Sequence, residues 1–111
     1  MKFKLTAKNF EITKELNNKL EKSLTKLKHA LKSFETKGTP SYIILEKRPR
    51  KEEYKAKITF HLPKHTISTR DVGVSPEQAL RRAADDARDR VIKVKDRLKD
   101  THEISRRAKA Q

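Results

Sequence analysis

The chain has 111 residues, of which 29 are Lys or Arg and 15 are Asp or Glu, giving a formal net charge of +14 and a pI near 10.2. It has no cysteine, which excludes disulfides, zinc thiolates and a thiol nucleophile, and no apolar run of membrane-spanning length. The length fits one domain, and 33% hydrophobic against 40% charged residues leaves only a thin core of one sheet and a few helices. A charge excess of this size repels itself and destabilises the compact state. An anionic partner offsets that cost, and for a cytoplasmic chain the expected partner is nucleic acid, where each neutralised phosphate releases counterions.

The first strand is predicted over Met1 to Ala7, where Phe3, Leu5 and Ala7 alternate with Lys2, Lys4 and Thr6. This alternation also leaves no signal-peptide core at the start. After a connection, Thr13 is placed as a helix N-cap. Leu16, Leu20, Leu24, Leu27, Leu31 and Phe34 then recur at three and four, the stripe of one amphipathic helix running to about Glu35. Lys37-Gly38-Thr39-Pro40 ends it. Ser41 to Lys47 is nearly continuous in hydrophobicity and reads as a strand interior to the sheet. A basic turn, Arg48-Pro49-Arg50-Lys51, leads to the clearest period-two segment, in which Tyr54, Ala56, Ile58, Phe60 and Leu62 alternate with polar residues. Pro63-Lys64 turns the chain into a fourth strand, roughly His65 to Val72.

Ser75-Pro76-Glu77-Gln78 is a helix start with a capping box, and Leu80, Ala84, Ala87, Val91, Val94 and Leu98 carry the helix to about Asp100. The expected fold class is α+β: a βαβββα domain over residues 1–100, with a four-stranded sheet and two helices on one face. Residues 101–111 lack an apolar stripe and read as a flexible basic tail.

The cations are not evenly spread. Lys19, Lys22, Lys26 and His29 form a stripe beside the apolar one on the first helix, and Lys28 and Lys32 form a second short row. On the second helix Arg81, Arg88 and Lys95 share one face, Arg90 and Arg97 another, with Arg82 and Lys93 near the latter. Two helices side by side would gather such stripes at a groove suited to a phosphate backbone. The predicted RNA-binding set is Lys19, Lys22, Lys26, His29, Arg82, Arg88, Arg90, Lys93, Lys95 and Arg97. On the second helix the competing reading is a surface stapled by the i,i+4 pairs Arg82–Asp86, Asp86–Arg90 and Asp89–Lys93.

No chemistry is expected beside this. His61 and His65 lack a third metal ligand, two glycines cannot build a phosphate cradle, and no nucleophile elbow or paired-carboxylate pattern is present. The aromatics Phe3, Phe10, Phe34, Tyr42, Tyr54 and Phe60 mostly fall on predicted buried faces, so recognition of backbone and shape is expected over base stacking.

Over about residues 1–98 the chain resembles the ribosome hibernation promoting factors, also called ribosome-associated inhibitors or sigma-54 modulation proteins. The resemblance rests on Asn9-Phe10-Glu11-Ile12-Thr13 after the opening strand, Leu24-Thr25-Lys26-Leu27 in the first helix, and Ala79-Leu80, Asp85, Lys93 and Lys95 in the second. It implies a fold related in shape to double-stranded-RNA-binding domains. It also implies binding to the small ribosomal subunit near the decoding region, overlapping messenger and transfer RNA, with silencing of ribosomes in stationary phase or stress. The helices' basic residues are implied as the contacts with ribosomal RNA. Lys26 and Lys93 match basic positions of the family. Ser23 stands where Lys or Arg is usual, and Asp86 and Asp89 where Lys and Arg are typical, so Arg82, Arg88 and Arg90 would supply the charge from adjacent turns. The chain is expected to be a short form without the family's second, dimerising domain, and monomeric off the ribosome.

Taken together, these readings predict a non-enzymatic ribosome-binding domain with no cofactor, no small-molecule substrate and no membrane. The alternatives are a general double-stranded RNA or DNA binder, and a module for an acidic protein partner.

Overall fold

β1 (Phe3–Lys8) alternates as predicted, with Phe3, Leu5 and Ala7 half-buried and Lys4, Thr6 and Lys8 exposed. The structure is a computed structural model that describes residues 3–32, 41–62 and 64–110, with residues 98–110 described by backbone alone. Asn9 leaves the strand in the left-handed region at φ 69°, and its side-chain amide donates to the Lys47 carbonyl at 3.3 Å. Asn tolerates that conformation better than most residues.

Thr13 caps α1 (Lys14–Ser23), its Oγ1 accepting from the Leu16 N–H at 3.2 Å. The single helix expected from the apolar stripe is in fact two. α1 stops at Ser23, α2 (Thr25–Leu31) follows, and Leu24 lies between them. The cause is local. The hydroxyls of Ser23 and Thr25 donate to the carbonyls of Lys19 and Glu21 at 3.1 and 3.4 Å, and the Leu24 N–H pairs with Glu21, three residues back, at 3.1 Å. Back-bonded hydroxyls and a three-residue hydrogen bond tighten and bend a helix. The stripe survives the bend, since Leu20, Leu24, Leu27 and Leu31 are all buried. Phe34 and the predicted stop at Lys37–Pro40 lie outside the described residues.

β2 (Ser41–Lys47), β3 (Tyr54–Leu62) and β4 (His65–Gly73) complete one sheet in the order β1-β2-β3-β4. β1 and β2 run parallel, joined by the helical crossover, and the other two pairings are antiparallel. β2 is interior, as its continuous hydrophobicity predicts. Arg50 turns the chain between β2 and β3 at φ 66°, and an Arg48–Glu53 ion pair of 3.3 Å closes this connection. Leu62 pairs with His65, leaving two residues for the β3–β4 connection, with Lys64 at φ 63°.

Ser75 starts α3 (Pro76–Ala110) by accepting from the Gln78 N–H at 3.1 Å, and Gln78 Oε1 reaches back to the Val74 N–H at 2.9 Å. The α3 backbone runs on past Asp100, where its apolar stripe ends. α1, α2 and α3 cover the same face of the sheet, giving the expected α+β, βαβββα order with the first helix broken. The core lies between the layers, around Phe60, Ile43, Leu45, Ile58, Leu20, Leu27, Leu80 and Val91. Ala79, Ala83, Ala84 and Ala87 give α3 a low apolar ridge, and buried Thr69 of β4 donates to the Ala83 carbonyl at 2.9 Å.

Gly73 is where β4 meets that helix. A Cβ there would lie 2.7 Å from the Ala79 nitrogen, which is itself committed to the Ser75 carbonyl at 3.1 Å. Gly73→Ala is therefore expected to destabilise the fold by about 1–3 kcal/mol, as overpacking does. A thermal melt checks it, and an unchanged midpoint would mean that the first turn of α3 yields freely.

Candidate nucleic-acid interface

α3 packs over β4 and β3 far more than over β2, and its other neighbours are α1 and α2. The two flanks of α3 therefore have different neighbours. Positions 82, 86, 90, 93 and 97 form the flank toward the β4 edge. Positions 81, 88 and 95 interleave with buried Ala84 and Val91 on the flank toward α1 and α2.

Hydrogen bonds fix the first flank. Arg82 Nη1 donates to the Val72 carbonyl and Arg90 Nη1 to the Ser68 carbonyl, both at 2.9 Å. β4 is an edge strand, and these guanidinium groups cover two of its outward carbonyls. None of the predicted i,i+4 pairs Arg82–Asp86, Asp86–Arg90 or Asp89–Lys93 closes to 4 Å among the described residues. The stapled-helix reading is replaced by a helix laced to a sheet edge. Asp86 sits between the two arginines and faces Asp71 of β4. Its carboxyl is held above the ordinary carboxylate value by a hydrogen bond with Asp71, then by partial desolvation and the charges of Asp71 and Asp89, while Arg90 pulls it back.

The second flank carries no acid of its own, Asp85 lying beyond Arg81 on the solvent crest of the helix. Exposed Arg81 and Arg88 and half-exposed Lys95 line the groove side of α3. On α1 and α2, Lys19, Lys22, Lys26 and His29 are all exposed. The solvent side of α1 and α2 carries a shallow concavity lined by Asn18, Glu21, Lys22, Thr25, Lys28, His29 and Lys32. Lys28 and Lys32, which the sequence places in a separate row, thus share one hollow with Lys22 and His29. The Ser23 and Thr25 hydroxyls flanking Leu24 are the sequence signal for the break between the two helices, because such residues back-bond and bend helices.

Of the ten predicted RNA contacts, the fold gathers Lys19, Lys22, Lys26, His29, Arg88 and Lys95 on the two-helix side. It sets Arg82, Arg90, Lys93 and Arg97 along the β4 side. His61 and His65 cannot share an ion. His61 lies on the open sheet face with its Nδ1 2.9 Å from Thr66 Oγ1, while His65 has the strand parity of the buried face.

The sequence pattern of the Sigma 54 modulation protein / S30EA ribosomal protein family matches residues 3–99. The chain belongs to this family. No curated protein matches the chain. Among solved structures, the N-terminal domain of Thermus thermophilus Protein Y is 21% identical, with a TM-score of 0.63, over 82% of this chain and 96% of that one. A ribosomal subunit interface protein from Coxiella burnetii is 15% identical, with a TM-score of 0.65, over 86% of this chain and 98% of that one. At these identities the likeness carries the fold alone.

Within the Sigma 54 modulation / S30EA family fold, the acidic departures at Asp86 and Asp89 acquire a location. Asp86 belongs to the β4 flank and faces Asp71, away from Arg88 and Lys95. Its raised pKa has a definite sign for stability. The folded state binds the proton more tightly than the unfolded state, so the ionised form is penalised above the folded pKa, and the penalty disappears as pH falls toward the unfolded value near about 4. Asp86→Asn keeps a hydrogen-bond donor for Asp71 without the charge. It is expected to melt slightly above wild type at neutral pH, with the gap closing on acidification. A gap that stays constant from neutral to acid pH would contradict this account.

Proposed function

We propose that the protein is a ribosome hibernation factor. Its two-helix face docks on small-subunit ribosomal RNA near the decoding region and excludes messenger and transfer RNA, inhibiting translation in stress or stationary phase. The observation that carries this reading is the set of exposed cations on α1, α2 and the adjoining flank of α3, in a chain whose family match spans residues 3–99. The concavity on α1 and α2, where Lys22, Lys28, His29 and Lys32 outnumber Glu21, supplies point charges for phosphates, and exposed Arg88 adds a planar donor from α3. The description of the Coxiella burnetii neighbour as a ribosomal subunit interface protein supports a ribosomal partner.

The mechanism is occlusion. A domain seated by its helices on the RNA fills the space that messenger and transfer RNA need, and no bond is made or broken. The protein acts as a monomer with no cofactor, and Lys93 and Arg97 contribute from the outer flank of α3. Sedimentation through sucrose with purified subunits tests the reading. Co-sedimentation with the small subunit at moderate salt, lost at high salt and competed by messenger and transfer RNA, is the expected result. Free duplex RNA competing as well as ribosomes would favour a general double-stranded RNA or DNA binder instead.

A further inference from the structure

The face of the sheet that no helix covers has a composition of its own. Strand registry places Lys4, Tyr42, Thr59 and Ser68 in one row across the four strands, then Thr6, Ile44, Lys57 and Arg70, then Lys8, Glu46, Lys55 and Val72. Five of these side chains are basic and Glu46 alone is acidic. Lys57 and Arg70 are directly opposed on adjacent strands. Like charges in that position destabilise a sheet. Among the described residues, no ion pair within 4 Å relieves any of the five cations. A fold that keeps such a pair uncompensated is complementary to an anionic partner.

Tyr42 identifies which anion. It lies on an interior strand yet is 44% exposed, with Lys4 and Thr59 as its cross-strand neighbours. An exposed aromatic ring on an uncovered sheet face, with Lys4 beside it and Lys57 and Arg70 in the next row, fits a nucleobase and its flanking phosphates. Hydroxyls are already fixed beside it: Thr59 Oγ1 and Ser68 Oγ are 3.3 Å apart, and Thr66 Oγ1 meets His61 Nδ1 at 2.9 Å. A duplex would present its phosphates and keep its bases stacked inside, leaving Tyr42 without a role.

We propose that the open sheet face is a second RNA-binding surface that takes a single-stranded segment, with Tyr42 stacking on a base and Lys4, Lys57 and Arg70 holding phosphates. It lies opposite the helical face, so one domain would hold two RNA elements at once. The inference stands apart from the ribosome reading, since it uses different residues on the other side of the sheet.

Fluorescence anisotropy with a labelled oligouridine of about twelve nucleotides tests it. Wild type is expected to bind. Tyr42→Ala should weaken binding roughly tenfold while Tyr42→Phe retains it, as base stacking requires. Lys57→Gln with Arg70→Gln should lower the slope of log affinity against log salt by about 1.4, the single-strand value for two phosphates. That double variant removes a like-charge pair, so its melting temperature should be no lower than wild type. Lys22→Glu with Lys26→Glu, on the helical face, should leave oligouridine binding largely intact. The proposal is overturned if the helical variant abolishes oligouridine binding while the sheet variants bind as wild type. It is also overturned if polyglutamate competes equally and Tyr42→Ala has no effect, which would assign the face to an acidic protein segment.

Discussion

Reversing the charge of Lys22 and Lys26 together is expected to weaken small-subunit binding roughly a hundredfold at moderate salt. Both side chains are exposed on the helical face, Lys22 lining the concavity of α1 and α2 and Lys26 one turn further on. Each charge-assisted contact with a phosphate is worth about 1.5–3 kcal/mol, so losing two reaches or exceeds that factor. Two fewer phosphates should also reduce the salt slope by about 1.8 if the target is duplex RNA behaving like B-form DNA. The affinity and the slope are separate readouts. A protein that lost affinity through misfolding would not show the graded salt dependence, and a circular-dichroism melt identical to wild type excludes misfolding directly. Wild-type affinity at both 0.1 and 0.2 M salt, conditions between which a phosphate contact changes measurably (on the order of twofold each), would remove α1 and α2 from the interface.

Phe60→Ala should cost about 3–5 kcal/mol, a large share of the roughly 5–15 kcal/mol that holds a domain of this size. Phe60 is completely buried near the C-terminal end of β3 and meets Phe3 of β1 edge-to-face, ring centroids 6.2 Å apart. It thereby links β3 to the β1 edge across β2, beneath the helices. No nearby side chain is both large and mobile enough to fill the space, since Ile43, Ile58 and Leu80 are themselves fully buried. The melting midpoint should fall by more than about 10 °C. Phe60→Leu should recover most of that loss. A small effect from Phe60→Ala would mean that the core collapses onto the gap. Because the Phe60 side chain is fully buried and uncharged, any ribosome binding that survives in the folded fraction should keep the wild-type salt slope.

These two experiments separate charge from packing, and the sequence separates them in the same way. Alternation in Tyr54–Leu62 and the leucine stripe of the first helix are enough to name the buried residues, because burial on one face leaves a period of two in a strand and of three to four in a helix. The Ser75-Pro76-Glu77-Gln78 start of α3 is equally legible, since a cap needs only a few adjacent residues. The excess positive charge and its stripes on the helices are also written in the chain.

The rest depends on which elements become neighbours. A helical wheel shows Arg88 and Arg90 as similar exposed cations. Packing over β3 and β4 turns Arg90 to the Ser68 carbonyl and leaves Arg88 facing the groove. The acids at 86 and 89 look like a defect of a cationic helix until Asp71 is brought alongside Asp86 from β4. Tyr42 reads as one more core aromatic in a hydrophobic strand, and strand registry alone puts it on the uncovered face. Periodicity is a property of a single element and survives in one dimension. The partner of each flank is set by residues far away in sequence, which only the folded sheet and its three helices bring into contact.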